Sequence, residues 1–227
     1  MGRAIPVLVV VIAVGVAVGA WFHFRAEPIV AAPPSQGSIG YDQVRADLKR
    51  LPVKGWDRRR DFVRYRFGEA WSDDVDVELG HNGCNTRDDV LRRDLTDVAL
   101  RPGTCFVQRG TLHDPYRGET IDFVRGPTTS DAVQIDHVVS LADAWYKGAG
   151  DWDDDRRRDF ANDPRNLLAV SAKGNFDKAF RDAASWLPPN VGFRCEFVAR
   201  QVQVKTAYGL WVSEKEERAI AEVLSAC

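Results

Sequence analysis

The sequence predicts an α+β domain running from about Tyr41 to Cys227, and three observations carry that expectation. Apolar residues switch between strand-like and helical spacing without a regular strand–helix–strand alternation. "TCFVQRGTLHDPYRGETIDFV", 104–124, holds two strand-like runs around the turn residues Asp114, Pro115 and Gly118, the pattern of a hairpin. Near the C-terminus Gly209 stops one helical run, and Ser213 with Glu216 forms a capping box for the next.

Each element can be justified in turn. Tyr41, Val44, Leu48 and Leu51 recur at helical spacing and predict a first helix. "NTRDDVLRRDL", 85–95, has Thr86 with Asp89 three residues on, a workable helix start. After the hairpin, "VQIDHVVSLADAW", 133–145, reads as an apolar strand passing into a short helix near Leu141 to Tyr146. "RRRDFAND", 156–163, is helical and stops before Pro164, and "NLLAV", 166–170, is a short apolar strand. "SAKGNFDKAF", 171–180, opens with a serine cap. "CEFVARQVQVKTAYG" and "SEKEERAIAEVL" complete the helices. "DVDVELGHNG", 74–83, alternates acids like a calcium loop but lacks the required glycine and closing glutamate, so it reads as a turn into Cys84.

Residues 5–22, "IPVLVVVIAVGVAVGAWF", carry no charge. Residues 1–25 are therefore expected to be a signal peptide or a signal-anchor helix. Small residues at Val18-Gly19-Ala20 suit cleavage, whereas the length and Trp21 suit an uncleaved anchor; either one exports the rest of the chain. Residues 26–40, "AEPIVAAPPSQGSIG", read as a flexible Pro/Ala/Gly linker. Contact with a membrane is expected only through the N-terminal segment, if it stays uncleaved.

Cysteine usage agrees with export. Cys84, Cys105, Cys195 and Cys227 make an even count with no CxxC spacing, which argues for two disulfides and against a zinc knuckle. Three connectivities are open, and neighbour pairing (Cys84 with Cys105, Cys195 with Cys227) is the expectation. With a net charge of −2 the chain is no general DNA coat, so any nucleic-acid contact must be local.

The opening question of function falls on Asp136 and His137, an acid and an imidazole in a run otherwise suited to a buried strand. Alone, such a pair is usually structural. Downstream, however, come Asn166 at a strand start and Asn175 on a helix. A strand pair with a helix packed across it can gather these residues, and the chemistry they suit is metal-assisted phosphodiester hydrolysis. A hard divalent cation takes oxygen ligands from a carboxylate and an amide, and a neutral imidazole can accept a proton from water.

"IDHVVSLADAW…FANDPRNLLAVSAKGNFDK" resembles the HNH (ββα-metal) nuclease motif. More closely, it is similar to exported bacterial HNH-type proteins related to the C-terminal nuclease part of GmrSD-type restriction enzymes. "FGEAW", "NGCNTRDDVL", "GTLHDPYRG", "WLPPN" and "VKTAYGLWV" extend the resemblance over nearly the whole domain. It implies a ββα-metal core embedded in a helix-rich domain. It makes His137 the general base, Asp136 and Asn175 the ligands of a divalent metal (Mg²⁺), and Asn166 the residue that orients the His-bearing segment. Lys178 would face a substrate phosphate. The implied substrate is DNA, with RNA an alternative, and no protein partner can be read. Three departures stand out: Asn175 replaces the final His, the span from His137 to Asn166 is long, and "AFRDAAS" replaces a Gly- and Asp-containing turn after Lys178.

Other residues have plainer readings. His81 and His113 are expected to be exposed, Asn162 and Asp163 to close a helix, and Arg156 to Arg158 to form a solvated face. Most of the tryptophans (Trp56, Trp71, Trp145, Trp152, Trp186, Trp211) are expected in the core. The competing function is a non-catalytic exported module that binds nucleic acid or envelope components on the same fold.

Overall fold

A computed structural model describes residues 1–2, 40–57 and 61–227. The apolar segment 5–22 and the linker up to residue 39 lie outside the described residues, as does the choice between signal peptide and anchor. Among the described residues no helix is long and apolar enough to cross a membrane. Residues from 40 onward belong to the second of two compact units, which starts at Gln36.

The elements run α1 (Tyr41–Leu48), α2 (Thr86–Asp94), β1 (Leu95–Leu100), β2 (Val107–His113), β3 (Thr120–Val124), β4 (Val133–His137), α3 (Leu141–Tyr146), α4 (Asp154–Asn162), β5 (Leu167–Ser171), α5 (Ala172–Lys178), α6 (Arg194–Tyr208) and α7 (Glu214–Ser225). Strands and helices mix without alternation, as expected of an α+β chain. β1, β2 and β3 form an antiparallel sheet in that order, and β4 pairs antiparallel with β5 in a separate sheet. In that second pair His137 sits opposite Leu167 and Val133 opposite Ser171. α5 follows β5 without a break, so β4, β5 and α5 form a ββα unit.

Both faces of this unit are covered, which explains why its strands are nearly continuous apolar runs. Val133, Ile135, Leu167 and Ala169 pack with Val90, Leu91 and Phe123 of α2 and the larger sheet. Leu168 and Val170 pack on the other side with Phe197, Val198 and Val202 of α6 and with residues of α1 and α7. Among the described residues the outer edge of β5 meets no further strand. Instead Arg93 donates to the Leu167 carbonyl at 2.6 Å and the Pro164 carbonyl at 2.7 Å, while Asp94 accepts from the Ala169 N–H at 2.8 Å. Two side chains thus satisfy the backbone groups a neighbouring strand would have taken.

Helix ends follow the sequence signals in most places. Ser140, Ser171 and Ser213 cap α3, α5 and α7, the last through the full capping box. Gly209 closes α6 in the left-handed conformation at φ +67°, where a side chain would be strained. One start differs. The cap of α2 is Asn85, whose side chain accepts from the Asp88 N–H. Thr86 instead donates its hydroxyl to the Ser72 carbonyl at 2.8 Å, tying down the loop before the helix.

The disulfides pair as neighbours, Cys84 with Cys105 and Cys195 with Cys227. The second ties the start of α6 to the last residue of the chain. β1 has no counterpart in the sequence reading. Its alternation is broken by Asp97 at φ +50° and by register shifts between Thr96 and Leu100, so its spacing matches neither a clean strand nor a helix. The Arg156–Arg158 run also differs from expectation. Arg157 is buried and donates to the carbonyls of Arg66, Ala149 and Trp152, so only part of that face is solvated. Of the tryptophans Trp145 is buried, while Trp56 is 44% exposed.

A second polar feature sits inside the fold. Lys147 and Lys205 are fully buried and share three carboxylates: Asp143, Asp182 and Glu216. The network joins α3, the loop after α5, α6 and α7. Every one of its charges has an opposite partner within 2.9 Å, the condition under which buried ions are tolerated.

Candidate active site

Asp136 and His137 are neighbours in sequence but lie on opposite sides of β4, as strand alternation requires. The Gln134 and Asp136 side chains meet α5, through Asn175 and Lys178. His137 turns the other way, toward Trp71 and Ala161. β4 pairs only with β5, so its other edge is open, and both residues reach the same cleft there. That cleft, of about 1000 Å³, is lined by Gln134, Asp136, His137 and Asn175 among others.

The imidazole is held from two sides. Its Nε2 lies 2.8 Å from the Ala161 carbonyl oxygen, and its ring stacks on Trp71 at 6.1 Å. A carbonyl can only accept, so Nε2 carries the proton and Nδ1 keeps a lone pair. Burial pushes the His137 pKa down to about 3, with the nearby Arg64 and Lys178 charges acting in the same direction and the Ala161 bond opposing them. The ring is therefore neutral at neutral pH, the state a proton acceptor needs. Beside it, Asn162 is buried and closes α4, donating from Nδ2 to the Arg158 carbonyl at 2.9 Å; its Oδ1 meets no donor among the described residues.

Asp136 is buried with two donors on its carboxylate. The Tyr116 hydroxyl donates at 2.6 Å and the Lys178 ammonium lies 2.9 Å away. Burial raises the Asp136 pKa, against the pull of Lys178 and Tyr116 in the opposite direction. Lys178 itself is fully buried, and it also donates to the His137 carbonyl at 2.8 Å. This departs from the sequence expectation that Lys178 would face a substrate phosphate: its ammonium points inward, because α5 lies across β4 and the Asp136 charge needs a partner there.

The two asparagines behave differently. Asn166 is fully buried, and its side chain brackets Val139, accepting from the Val139 N–H at 2.8 Å and donating to the Val139 carbonyl at 3.2 Å. Its own carbonyl accepts from the Val138 N–H at 2.8 Å. It thus fixes the segment directly after His137 and does not line the cleft. Asn175 is half-buried and donates to the Gln134 side chain at 2.8 Å. No donor among the described residues reaches its amide oxygen. His81 and His113 are exposed, as expected.

The sequence reading missed Tyr116, Trp71, Gln134 and the Ala161 carbonyl. Tyr116 lay inside a stretch legible only as a hairpin turn, and a backbone carbonyl leaves no signal in residue type. Trp71 is placed by a backbone at φ +62° and by its carbonyl accepting from the Thr86 N–H, contacts that no local pattern announces.

Among the described residues no group of three or more His, Cys, Asp or Glu side chains could hold a metal by itself. Among the residues that line the cleft, Asp136 offers a carboxylate and Gln134, Ser140 and Asn175 offer neutral hard oxygens. Gln134 and Asp136 project from the same face of β4 two residues apart, and Asn175 donates to Gln134. Such a sparse set fits a hard divalent cation that completes its shell with water and phosphate oxygens. It does not fit a closed structural metal site.

A protein of Arthroderma benhamiae described as an uncharacterized secreted protein is 38% identical over 146 residues, covering 63% of this chain and 68% of its own length. No solved structure matches the chain. A secreted relative and two disulfides place the domain outside the cytoplasm. The profile of GmrSD restriction endonucleases, C-terminal domain, matches residues 85–223, a span that contains β4, β5 and α5 with Tyr116, Asp136, His137, Asn166, Asn175 and Lys178. The chain therefore belongs to the family of GmrSD restriction endonuclease C-terminal domains, a nuclease-like family of HNH type.

Proposed function

We propose that the domain is an extracytoplasmic metal-dependent endonuclease that hydrolyses DNA phosphodiester bonds. His137 acts as the general base, and Asp136 and Asn175 hold the metal, Mg²⁺. The observation that carries this reading is the His137 imidazole, fixed by the Ala161 carbonyl and lining the same cleft as Asp136.

In this reading the Nδ1 lone pair takes a proton from a water molecule whose oxygen attacks phosphorus, and the bond to the 3′ oxygen breaks. The Ala161 carbonyl stabilises the imidazolium that forms, since Nε2–H already donates to it. Trp71 keeps the ring in plane. Asn166 positions His137 through the backbone of Val138 and Val139 rather than by touching substrate. Lys178 and Tyr116 hold the Asp136 carboxylate in place. A divalent cation bound at Asp136 and Asn175 would supply charge stabilisation for the phosphoryl oxygens and the leaving oxygen.

The test is plasmid cleavage by the purified parent, with and without EDTA, beside His137→Ala. EDTA-sensitive cleavage that is lost by at least about 100-fold in His137→Ala is expected. A His137→Ala protein that folds and cuts as fast as the parent would falsify the assignment. Binding of DNA with no cleavage in any divalent cation would favour the alternative, a non-catalytic exported module on the same fold.

A further inference from the structure

The cleft contains a feature that the reacting pair does not use. Phe176 is 83% exposed and Phe180 is 60% exposed, four residues apart at the end of α5, and both line the cleft that holds Asp136 and His137. Neither ring stacks on another aromatic side chain among the described residues. Trp56 lines the same cleft, with its ring stacked on Tyr146 at 5.3 Å. Leaving large apolar rings in water forfeits their burial energy, and no packing requirement of the fold accounts for them. Arg64 and Arg181 also line this cleft and are exposed. Among the described residues neither makes an ion pair; Arg181 donates only to the Asp177 carbonyl.

We propose that the cleft selects single-stranded nucleic acid, with unpaired bases stacking on Phe176, Phe180 and Trp56 while Arg64 and Arg181 contact phosphates. The proposal rests on the nuclease reading of the site and specifies its substrate. Aromatic faces next to free guanidinium groups are the arrangement that tracks a flexible strand, because every base has a face to stack and every linkage a charge. In a duplex those faces are already covered by neighbouring bases, so the rings would gain nothing. A protein-docking patch would not explain why the rings surround Asp136 and His137 beside two exposed guanidinium groups. Stacking reads no base edge, so little sequence preference is expected.

The experiment uses the full chain in EDTA, where no turnover occurs. Fluorescence anisotropy compares an oligothymidine strand of about 12 nucleotides, an abasic strand of the same length and a blunt duplex, at fixed salt. The thymidine strand is expected to bind roughly 10-fold or more tightly than the other two. Phe176→Ala and Phe180→Ala should each weaken it by about 5- to 100-fold while leaving the abasic strand unchanged, and Phe→Trp at either position should restore it. Both rings are exposed, so thermal melts of the variants should match the parent. Equal binding of duplex or abasic strand overturns the proposal. So do alanine variants that bind thymidine normally but lose self-association, which would mark a protein interface. Selective strand binding with no EDTA-sensitive cleavage of the bound strand or of plasmid when Mg²⁺ is supplied sinks the nuclease reading alone. Plasmid cleavage without strand selectivity sinks this inference alone.

Discussion

Nε2 of His137 lies 2.8 Å from the carbonyl oxygen of Ala161, so the imidazole proposed as the base on β4 is oriented by the last turn of α4. The chain between them is the long insertion that separates His137 from Asn166. That insertion was legible only as extra length to be folded away. It in fact supplies the group that fixes the tautomer.

This burial makes stability depend on pH. The His137 pKa is about 3 in the folded state, against about 6.5 in an unfolded chain. Between those values the unfolded state binds more protons, so the stability from a neutral, buried His137 is complete above pH 6.5 and falls as pH is lowered toward 3. At pH 5 the loss is on the order of 2 kcal/mol. His137→Asn, which keeps a donor for Ala161, should flatten this part of the profile. Urea unfolding in EDTA at pH 7, 6 and 5 measures it; parallel slopes for parent and variant would refute the idea.

Tyr116 links the core to the site. Its ring packs edge-on against Trp186 and Phe197, while its hydroxyl donates to Asp136 at 2.6 Å. Tyr116→Phe keeps the packing and removes one donor from a buried carboxylate, a loss of about 1–3 kcal/mol. If Asp136 holds the metal, the variant should also need more Mg²⁺ for half-maximal cleavage. A metal titration of plasmid cleavage separates that shift from simple loss of folded protein, because thermal melts report the latter directly.

Lys178 discriminates between a structural and a substrate-binding cation. Lys178→Met strands Asp136 in the interior without its counter-charge, at a cost of about 3–5 kcal/mol. The double variant Lys178→Met/Asp136→Asn should recover most of that stability. A Lys178→Met protein as stable as the parent, but with weakened substrate binding, would restore the phosphate role suggested by the sequence.

What the sequence showed and what it hid follow from the range of the interactions. Caps at Ser171 and Ser213, the hairpin and the ββα order depend on neighbours within a few residues, and all are found in the structure. Neighbour pairing of the cysteines is found too. The Arg93–Asp94 closure of β5 and the Lys147–Lys205 network join residues tens of positions apart, and no local period marks them. Asp136, His137 and Asn175, singled out from their order, line one cleft, and Asn166 brackets the backbone after His137. The inward turn of Lys178 could not be read that way, since it depends on how α5 crosses β4.

Ala179 gives the last prediction. It ends α5 at φ +50° and ψ −125°, a conformation that suits glycine and strains any residue with a Cβ. Such strain costs about 1–3 kcal/mol, while glycine adds roughly 0.4–1 kcal/mol of unfolded-state entropy. Ala179→Gly should therefore stabilise the domain by about 1 kcal/mol, seen as a higher urea midpoint with an unchanged slope. The backbone N–H of residue 179 would still donate to the Asn175 carbonyl, which lies 2.8 Å away, so the placement of Asn175 and Phe180 should persist. A lower midpoint would show that the alanine methyl contributes packing that outweighs the strain of its backbone.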